Sequence, residues 1–369
     1  MADTTPEFKV ENKPYEWLKC EVESSDPYED YAKIWRLSIE YTGGGNFMQN
    51  LLYAYIFANC VATEWASDMM WRNGSGKVLT QATDRVNETQ HHFSTWWYYG
   101  PHHPETRKSI DTINKRHKGH ARSYPGHFSD TSDYTYVICF TAISADRLRK
   151  KLRLSGFTEK QKIAAYLFWK EMSRLLSVEV PGQDWKPLSE FSGFSGDWDE
   201  MYRFCEDFED NHMVVTDKGH MIAEALFDQF AFRYFPSLLR PLDCALPISL
   251  SLPQTLKAHR IKEVNSVLAR MILFVIGTLV WILEIFLPDP KISCQESLRM
   301  RSADQSKKVE EENNDLQAMW VIFTRIDDDY DQFNELYKQY IMHNPVRTSI
   351  DVSRLSKPAD IEVEVVALA

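Results

Sequence analysis

The stretch Pro104-Glu-Thr-Arg-Lys-Ser-Ile-Asp-Thr-Ile-Asn-Lys-Arg-His117-Lys-Gly-His-Ala-Arg122 has the period of an α-helix. Ile110, Ile113 and His117 stand at i, i+3 and i+7 on one stripe. Arg107, Lys108, Asp111, Lys115 and Lys118 take the other faces. Pro104 suits the first helical position, because its missing N–H is one that a helix start leaves unbonded. A stripe that faces a core puts the His117 imidazole among apolar groups, where a polar group without a partner is costly. A hydrogen-bonding neighbour supplies such a partner, and so does an iron ion.

Outward from this helix the same period recurs. Apolar residues repeat every three to four positions over 28–41, 47–70, 79–93, 132–152, 158–178, 198–211, 217–233 and 255–287. With only 14 Gly in 369 residues and little β-branched alternation, the pattern predicts an all-α fold. Gly43-Gly44-Gly45 and Asn73-Gly-Ser-Gly76 read as breaks between helices, and 180–196 reads as a long loop. The run Leu51-Leu-Tyr-Ala-Tyr-Ile-Phe-Ala-Asn-Cys-Val-Ala62 is apolar nearly all round, which predicts a buried helix. Residues 1–25 read as a loose lead-in and 26–290 as one helical domain. Residues 291–369 read as a charged extension with a helix over 316–340 and a flexible last stretch of about 25 residues.

The net charge of −11 argues against a nucleic-acid binder. Six scattered Cys without CxxC spacing point to free thiols in a reducing compartment. The polar, acidic start has no secretory signal pattern, so the expected location is intracellular, either cytoplasmic or on a membrane. The segment 271–288 is almost uninterruptedly apolar and follows Lys257, Arg260, Lys262 and Arg270. It sits at the lower edge of transmembrane length, about 20 residues, and two readings stay open: a membrane segment, or a buried core helix that closes the domain.

Two helices carry the chemistry. Arg85-Val-Asn-Glu-Thr89 puts Arg85 and Thr89 one turn apart on one face, and His117 follows 28 residues after Thr89, across one loop. A planar cofactor needs this kind of slot: a histidine on one side, small polar donors on the other, apolar walls between. A hydrogen-bonded core histidine gives the same spacing. His120, at i+7 from Ile113, is the rival ligand. His91-His92 and His102-His103 lack zinc-type spacing and read as solvated. The aromatic run from Phe93 to Tyr99 reads as pocket wall or core, and Asp327-Asp-Asp-Tyr-Asp331 reads as a solvated face.

Ile113-Asn-Lys-Arg-His117-Lys-Gly-His120, then Tyr124-Pro-Gly-His-Phe-Ser129 and Asp133-Tyr-Thr-Tyr136, resemble the core of a haem oxygenase family. That family holds the bacterial latex-clearing rubber oxygenases and the fungal ER-bound mpaB-type oxygenases. The helix Glu159-Lys-Gln-Lys-Ile-Ala-Ala-Tyr-Leu-Phe-Trp169-Lys-Glu-Met172 extends the likeness, which covers about 30–240 and is strongest over 80–180. The resemblance implies a globin-like helical core, haem b with His117 as iron ligand, and Arg85 and Thr89 on the opposite side. It implies dioxygen-dependent oxidation, or C=C cleavage, of an apolar isoprenoid- or lipid-like substrate, with the endoplasmic reticulum as one location. Rubber oxygenases carry a Lys before the Thr and arginines around the ligand. Here those positions are Glu88, Asn114 and Ala121, so polymer cleavage is not the expected chemistry. A non-catalytic haem or lipid carrier, or a helical adaptor without haem, are the competing readings.

Overall fold

The computed structural model of the chain describes residues 15–41, 45–191, 196–235, 244–297 and 299–300, and the backbone of 316–323, 346–351 and 361–367. The chain divides into two units, residues 1–295 and 296–369.

The first unit is helical. Its elements are α1 (Trp17–Ser24), α2 (Tyr31–Ile39), α3 (Gly45–Cys60), α4 (Glu64–Trp71), α5 (Lys77–Thr80), α6 (Ala82–Tyr99), α7 (Pro104–Ala121), α8 (Thr131–Lys151) and α9 (Glu159–Ser173). A two-residue antiparallel pairing of β1 (Ser177–Val178) with β2 (Lys186–Pro187) follows. Then come α10 (Trp198–Asn211), α11 (Asp217–Tyr234), α12 (Ala245–Leu250), α13 (Pro253–Ala258) and α14 (Ser266–Phe286). Side-chain caps set many of the starts. Asp130 accepts from the backbone N–H groups of Ser132 and Asp133, and Thr158 with Gln161 forms a complete capping box on α9. Asp197, Thr216 and Asn265 cap α10, α11 and α14 in the same way.

Helix α8 lies at the centre, packed against α3, α9 and α10. Its Tyr136, Phe140 and Ile143 are fully buried and join Trp35, Tyr55, Phe168 and Trp169 in one core cluster. A second cluster gathers Leu51 and Ala54 of α3, Val86 of α6, and Leu226, Phe227 and Phe230 of α11. The buried character expected of 51–62 follows from α3 lying between the two.

Two expected helices are broken. The helix read over 47–70 stops at Cys60, because Thr63 is extended and its hydroxyl caps α4 by accepting from the Ala66 N–H. The helix read over 255–287 stops at Ala258. His259 is buried there with Nε2 2.7 Å from the Ala58 carbonyl, and Arg260 turns left-handed at φ 52°. The Gly43–Gly45 break lies largely outside the described residues.

Helix α14 is not the buried core helix left open by its sequence. Gly277 is its one buried residue. Ile272, Leu273 and Ile276 pack on the second cluster, while Phe274 is 69% and Phe286 64% exposed. It is long and apolar enough to cross a membrane, and among the described residues it is the one helix that is.

In the second unit, β3 (Leu316–Phe323) pairs parallel with β4 (Val346–Asp351) and antiparallel with β5 (Ile361–Ala367), in the order β4-β3-β5. Trp320 stands opposite Thr348 on one side and Glu364 on the other. The helix expected over 316–340 is therefore a strand as far as Phe323, and the remainder lies outside the described residues, as does Asp327–Asp331. The last residues, read as flexible, include two of the strands. Ile361-Glu-Val-Glu-Val365 has the two-residue alternation that a strand needs, and the charge of the surrounding text hid it.

Candidate functional site

Helices α6 and α7 form a hairpin joined by residues 100–103. Gly100 sits at φ 81°, which a residue with a side chain rarely adopts, and a Cβ there would press on Ala32 at 3.3 Å. His103 caps α7 by accepting from the Glu105 N–H at 3.2 Å, and Pro104 takes the first helical position as expected. Thr106, Ile110 and Ala121 of α7 are buried and Ile113 packs on the first cluster, so the stripe read from sequence does face inward.

His117 continues that stripe. Its ring lies 4.9 Å from Phe128, centroid to centroid, and its Nδ1 is 3.1 Å from the Tyr134 hydroxyl. No described group hydrogen-bonds its Nε2. Burial, then the charges of His120, Arg85 and Arg72, push its pKa down to about 4, so the ring is neutral at pH 7. With Nε2 as the lone-pair nitrogen, Nδ1–H donates to the Tyr134 oxygen.

The facing groups are cationic and polar. Arg85 Nη1 donates to Thr89 Oγ1 at 2.6 Å, and that hydroxyl donates back to the Arg85 carbonyl at 2.8 Å. The guanidinium stands over Phe57, 5.5 Å from the ring centroid, with Nη2 3.9 Å from Met70 Sδ. Arg72, left-handed at φ 48° where α4 ends, donates from Nε to the Met69 carbonyl. Burial and the nearby Arg85 charge lower its pKa. Neither arginine makes a salt bridge among the described residues. Tyr53 completes the group. Its hydroxyl is buried with Thr89 as its polar neighbour, and burial raises its pKa to about 12 against the opposing pull of the Arg85 charge and of hydrogen bonding to Thr89.

Arg85, Thr89 and His117 thus share one neighbourhood. His120 is half-buried, makes no side-chain hydrogen bond among the described residues, and feels Arg72 and Arg116. Glu88 turns to other cations, 2.5 Å from Lys77 Nζ and 3.6 Å from Arg116 Nη1, which lower its pKa. Asn114 staples α7 to the end of α9 and to β1: Nδ2 donates to the Leu175 carbonyl and Oδ1 accepts from the Ser177 N–H.

Among the described residues no cluster of three or more His, Cys, Asp or Glu gathers around the paired histidines or elsewhere. These histidines are not all solvated, however. His92 Nδ1 lies 2.7 Å from Ser109 Oγ, which also accepts from Trp96 Nε1, and His103 stacks on Tyr99. His102 bonds the Tyr31 hydroxyl. Trp96, Trp97 and Tyr98 are core.

Two cavities lie elsewhere. One of about 510 Å³ runs along the outer face of α7 beside Asp111, Lys115, Lys118 and Arg122, and one of about 360 Å³ opens near Thr135, Tyr166 and Phe204. Neither is lined by His117, Arg85 or Thr89. The convergence of a neutral imidazole with two arginines that no described carboxylate neutralises, not void size, marks the candidate site.

Tyr134, Phe128, Tyr53 and Arg72 carry no role in the sequence reading. Tyr134 and Phe128 fall inside the motif segments after His117, where an aromatic next to a helix cap is a detectable signal. Tyr53 sits on a helix apolar on every side, and Arg72 beside a turn, so neither announces itself.

Asp133, in the first turn of α8, is buried with Thr63 Oγ1 3.3 Å from its carboxylate. Burial, with Asp130 nearby, raises its pKa to about 7. The folded state therefore holds this proton more tightly than the unfolded chain, and stability falls as pH rises from about 4 to about 7. Asp133→Asn should remove that slope and give a higher melting temperature than the parent at pH 8, with little difference at pH 4. A parent-like slope in the variant, measured by thermal melts across pH, would contradict this.

A family model described as the catalytic domain of ER-bound oxygenase mpaB/B'/Rubber oxygenase matches residues 51–288. The match spans α6, α7 and α8, the elements that build the site, and runs through α14. The chain belongs to this family, whose members are oxygenases, and it is in that sense an oxidoreductase. Comparison with the curated proteins gives no match.

Proposed function

We propose that the chain is a haem-dependent oxygenase. It oxidises an apolar substrate, isoprenoid or lipid in character, with dioxygen, as far as cleavage of a C=C bond, within a globin-like core. One observation carries the reading. A neutral imidazole, held at Nδ1 and with no described partner at Nε2, shares a neighbourhood with two arginines that make no salt bridge among the described residues and with a buried tyrosyl hydroxyl whose polar neighbour is Thr89. A buried polar atom without a partner calls for a ligand or water.

Those donors fit haem b. His117 Nε2 is the candidate for the iron, since a neutral ring fixed through its other nitrogen is the form that binds metal. Arg85 and Arg72 suit the anionic groups of the cofactor or of the reduced oxidant. Haem, when bound, supplies the dioxygen chemistry. The chain does the rest. Tyr134 and Phe128 set the plane of His117, Thr89 holds the Arg85 fork in one orientation, and Phe57 and Met70 present apolar surface. Tyr53 contributes a hydroxyl that stays protonated at neutral pH. The ER-bound members named in the family description, and the exposed apolar α14, support a place on an intracellular membrane.

A second reading, a carrier of haem or lipid in the same fold, is favoured by Glu88, whose ion pairs with Lys77 and Arg116 leave no side chain at that position to serve Thr89. Protein purified from haem-supplied cells should show a Soret band and consume oxygen when given an apolar alkene and a reductant. A band without oxygen consumption favours the haem carrier, and no band excludes both the oxygenase and the haem carrier. Tyr134→Phe should weaken haem retention about 10–100-fold while the far-UV circular dichroism stays unchanged, the usual effect of losing a ligand's supporting hydrogen bond. An unchanged affinity, measured by haem transfer to an apo-globin acceptor, would remove Tyr134 from the site.

A further inference from the structure

We propose that α14 lies side-on in one leaflet of a membrane and does not cross the bilayer. This rests on the membrane association proposed above.

At 21 residues α14 is about 30 Å long, enough to cross by length alone. Its attachments forbid it. One stripe, Ile272, Leu273, Ile276 and Gly277, faces the protein. A Cβ on Gly277 would come to 2.4 Å from the Leu152 carbonyl oxygen, so the glycine lets the helix backbone press on the end of α8. Arg149 clamps Glu284 with both Nη atoms, at 2.5 and 3.2 Å.

Both ends are tied to the same body. Upstream, His259 is buried, bonded through Nε2 to Ala58 and through its carbonyl to His220 Nδ1. Downstream, Asp289 accepts from the Leu18 N–H at 2.8 Å and donates its own N–H to the Tyr15 carbonyl. The Tyr15 hydroxyl donates to the Ile285 carbonyl at 2.9 Å. Ser293, Cys294 and Gln295 are then buried, with the N–H groups of Cys294 and Gln295 donated to Glu40. A crossing would carry residues 288–295 to the far side of the bilayer and break the bonds that tie this end of the helix to Tyr15, Leu18 and Glu40.

The outward face is apolar and uncovered by any other described element: Met271, Phe274, Val275, Leu279, Ile282 and Phe286 are exposed. Exposed Lys257, Lys262 and Arg270 gather toward its N-terminal end in a chain of net charge −11, and none makes a salt bridge among the described residues. Basic groups at the edge of an apolar helical face match the anionic headgroups of a lipid surface.

The test uses the full chain in sealed microsomes. Glu263→Cys and Lys291→Cys, both at exposed positions beyond the two ends of α14, are each treated with a membrane-impermeant PEG-maleimide before and after detergent. Each is scored as one adduct beyond the parent. Both reactive before detergent, or both protected until detergent, is the expected result. One reactive and one protected shows a crossing and overturns the inference while leaving membrane association intact. Parent protein recovered in the soluble fraction overturns both. A Phe274→Glu, Leu279→Glu double variant should move most of the protein from the membrane pellet to the supernatant with its helical circular dichroism retained. Retention in the pellet after carbonate washing would count against the leaflet contact. None of these readouts depends on the Soret band.

Discussion

His117→Ala should purify from haem-supplied cells with no Soret band, whereas His120→Ala should keep one. The two imidazoles stand one turn apart on α7, and their surroundings separate them. His117 has its ring fixed by the Tyr134 hydroxyl and flanked by Phe128, and it is held neutral well below pH 7. His120 has no side-chain hydrogen bond among the described residues to orient it. Binding of a metal by imidazole competes with a proton, so the low pKa also sets a pH limit. The parent band should hold from pH 8 down through the range where a free imidazole protonates, near 6.5, and fade only as pH approaches about 4. A pyridine haemochrome assay per mole of protein measures both effects. A normal band in His117→Ala would move the ligand elsewhere.

Trp169→Ala should cost about 3–5 kcal/mol, the range for emptying a buried aromatic site. Trp169 is 1% exposed and its ring centroid lies 6.2 Å from Trp35, 5.6 Å from Phe168 and 6.4 Å from Phe93. It joins α2, α6 and α9 in one contact. Because a domain has about 5–15 kcal/mol of stability in all, this one change should bring the helical unit near its unfolding threshold. Tyr28→Ala, at a position 65% exposed, should change stability by less than about 0.5 kcal/mol. Urea unfolding followed by circular dichroism compares the two. Equal midpoints would mean that the cluster around α8 is not the stabilising core.

Much of the helical unit was legible because its signals are local. Period and Pro104 act within one turn, and α7, α9 and α10 begin within a residue of where those signals place them. What escaped depends on distant partners. Thr63 ends one helix by capping the next, and His259 breaks another because Ala58, far away in the chain, takes its ring nitrogen. Exposure of α14 could not be read at all, since an apolar run looks the same whether protein or lipid covers it. Strand β3 has an apolar run of the length where helix and strand patterns coincide. At the site, spacing brought Arg85, Thr89 and His117 together. Tyr53 and Arg72 reach the same place from α3 and α4, by packing that no sequence interval encodes.

The α6–α7 hairpin also has the shape of a pair of tongs. Its pivot is the short loop 100–103, while Arg85 and His117 sit about fourteen residues up either arm, roughly 20 Å from the pivot at 1.5 Å per residue. A rotation of only about 5° at that pivot parts the two arms by roughly 2 Å at the candidate pocket, the scale of a van der Waals gap. Glu88 and Arg116 bridge the arms at that same far end. Their attraction acts on a long lever arm, so even a half-exposed ion pair there bears on the spacing between the two arms at the site.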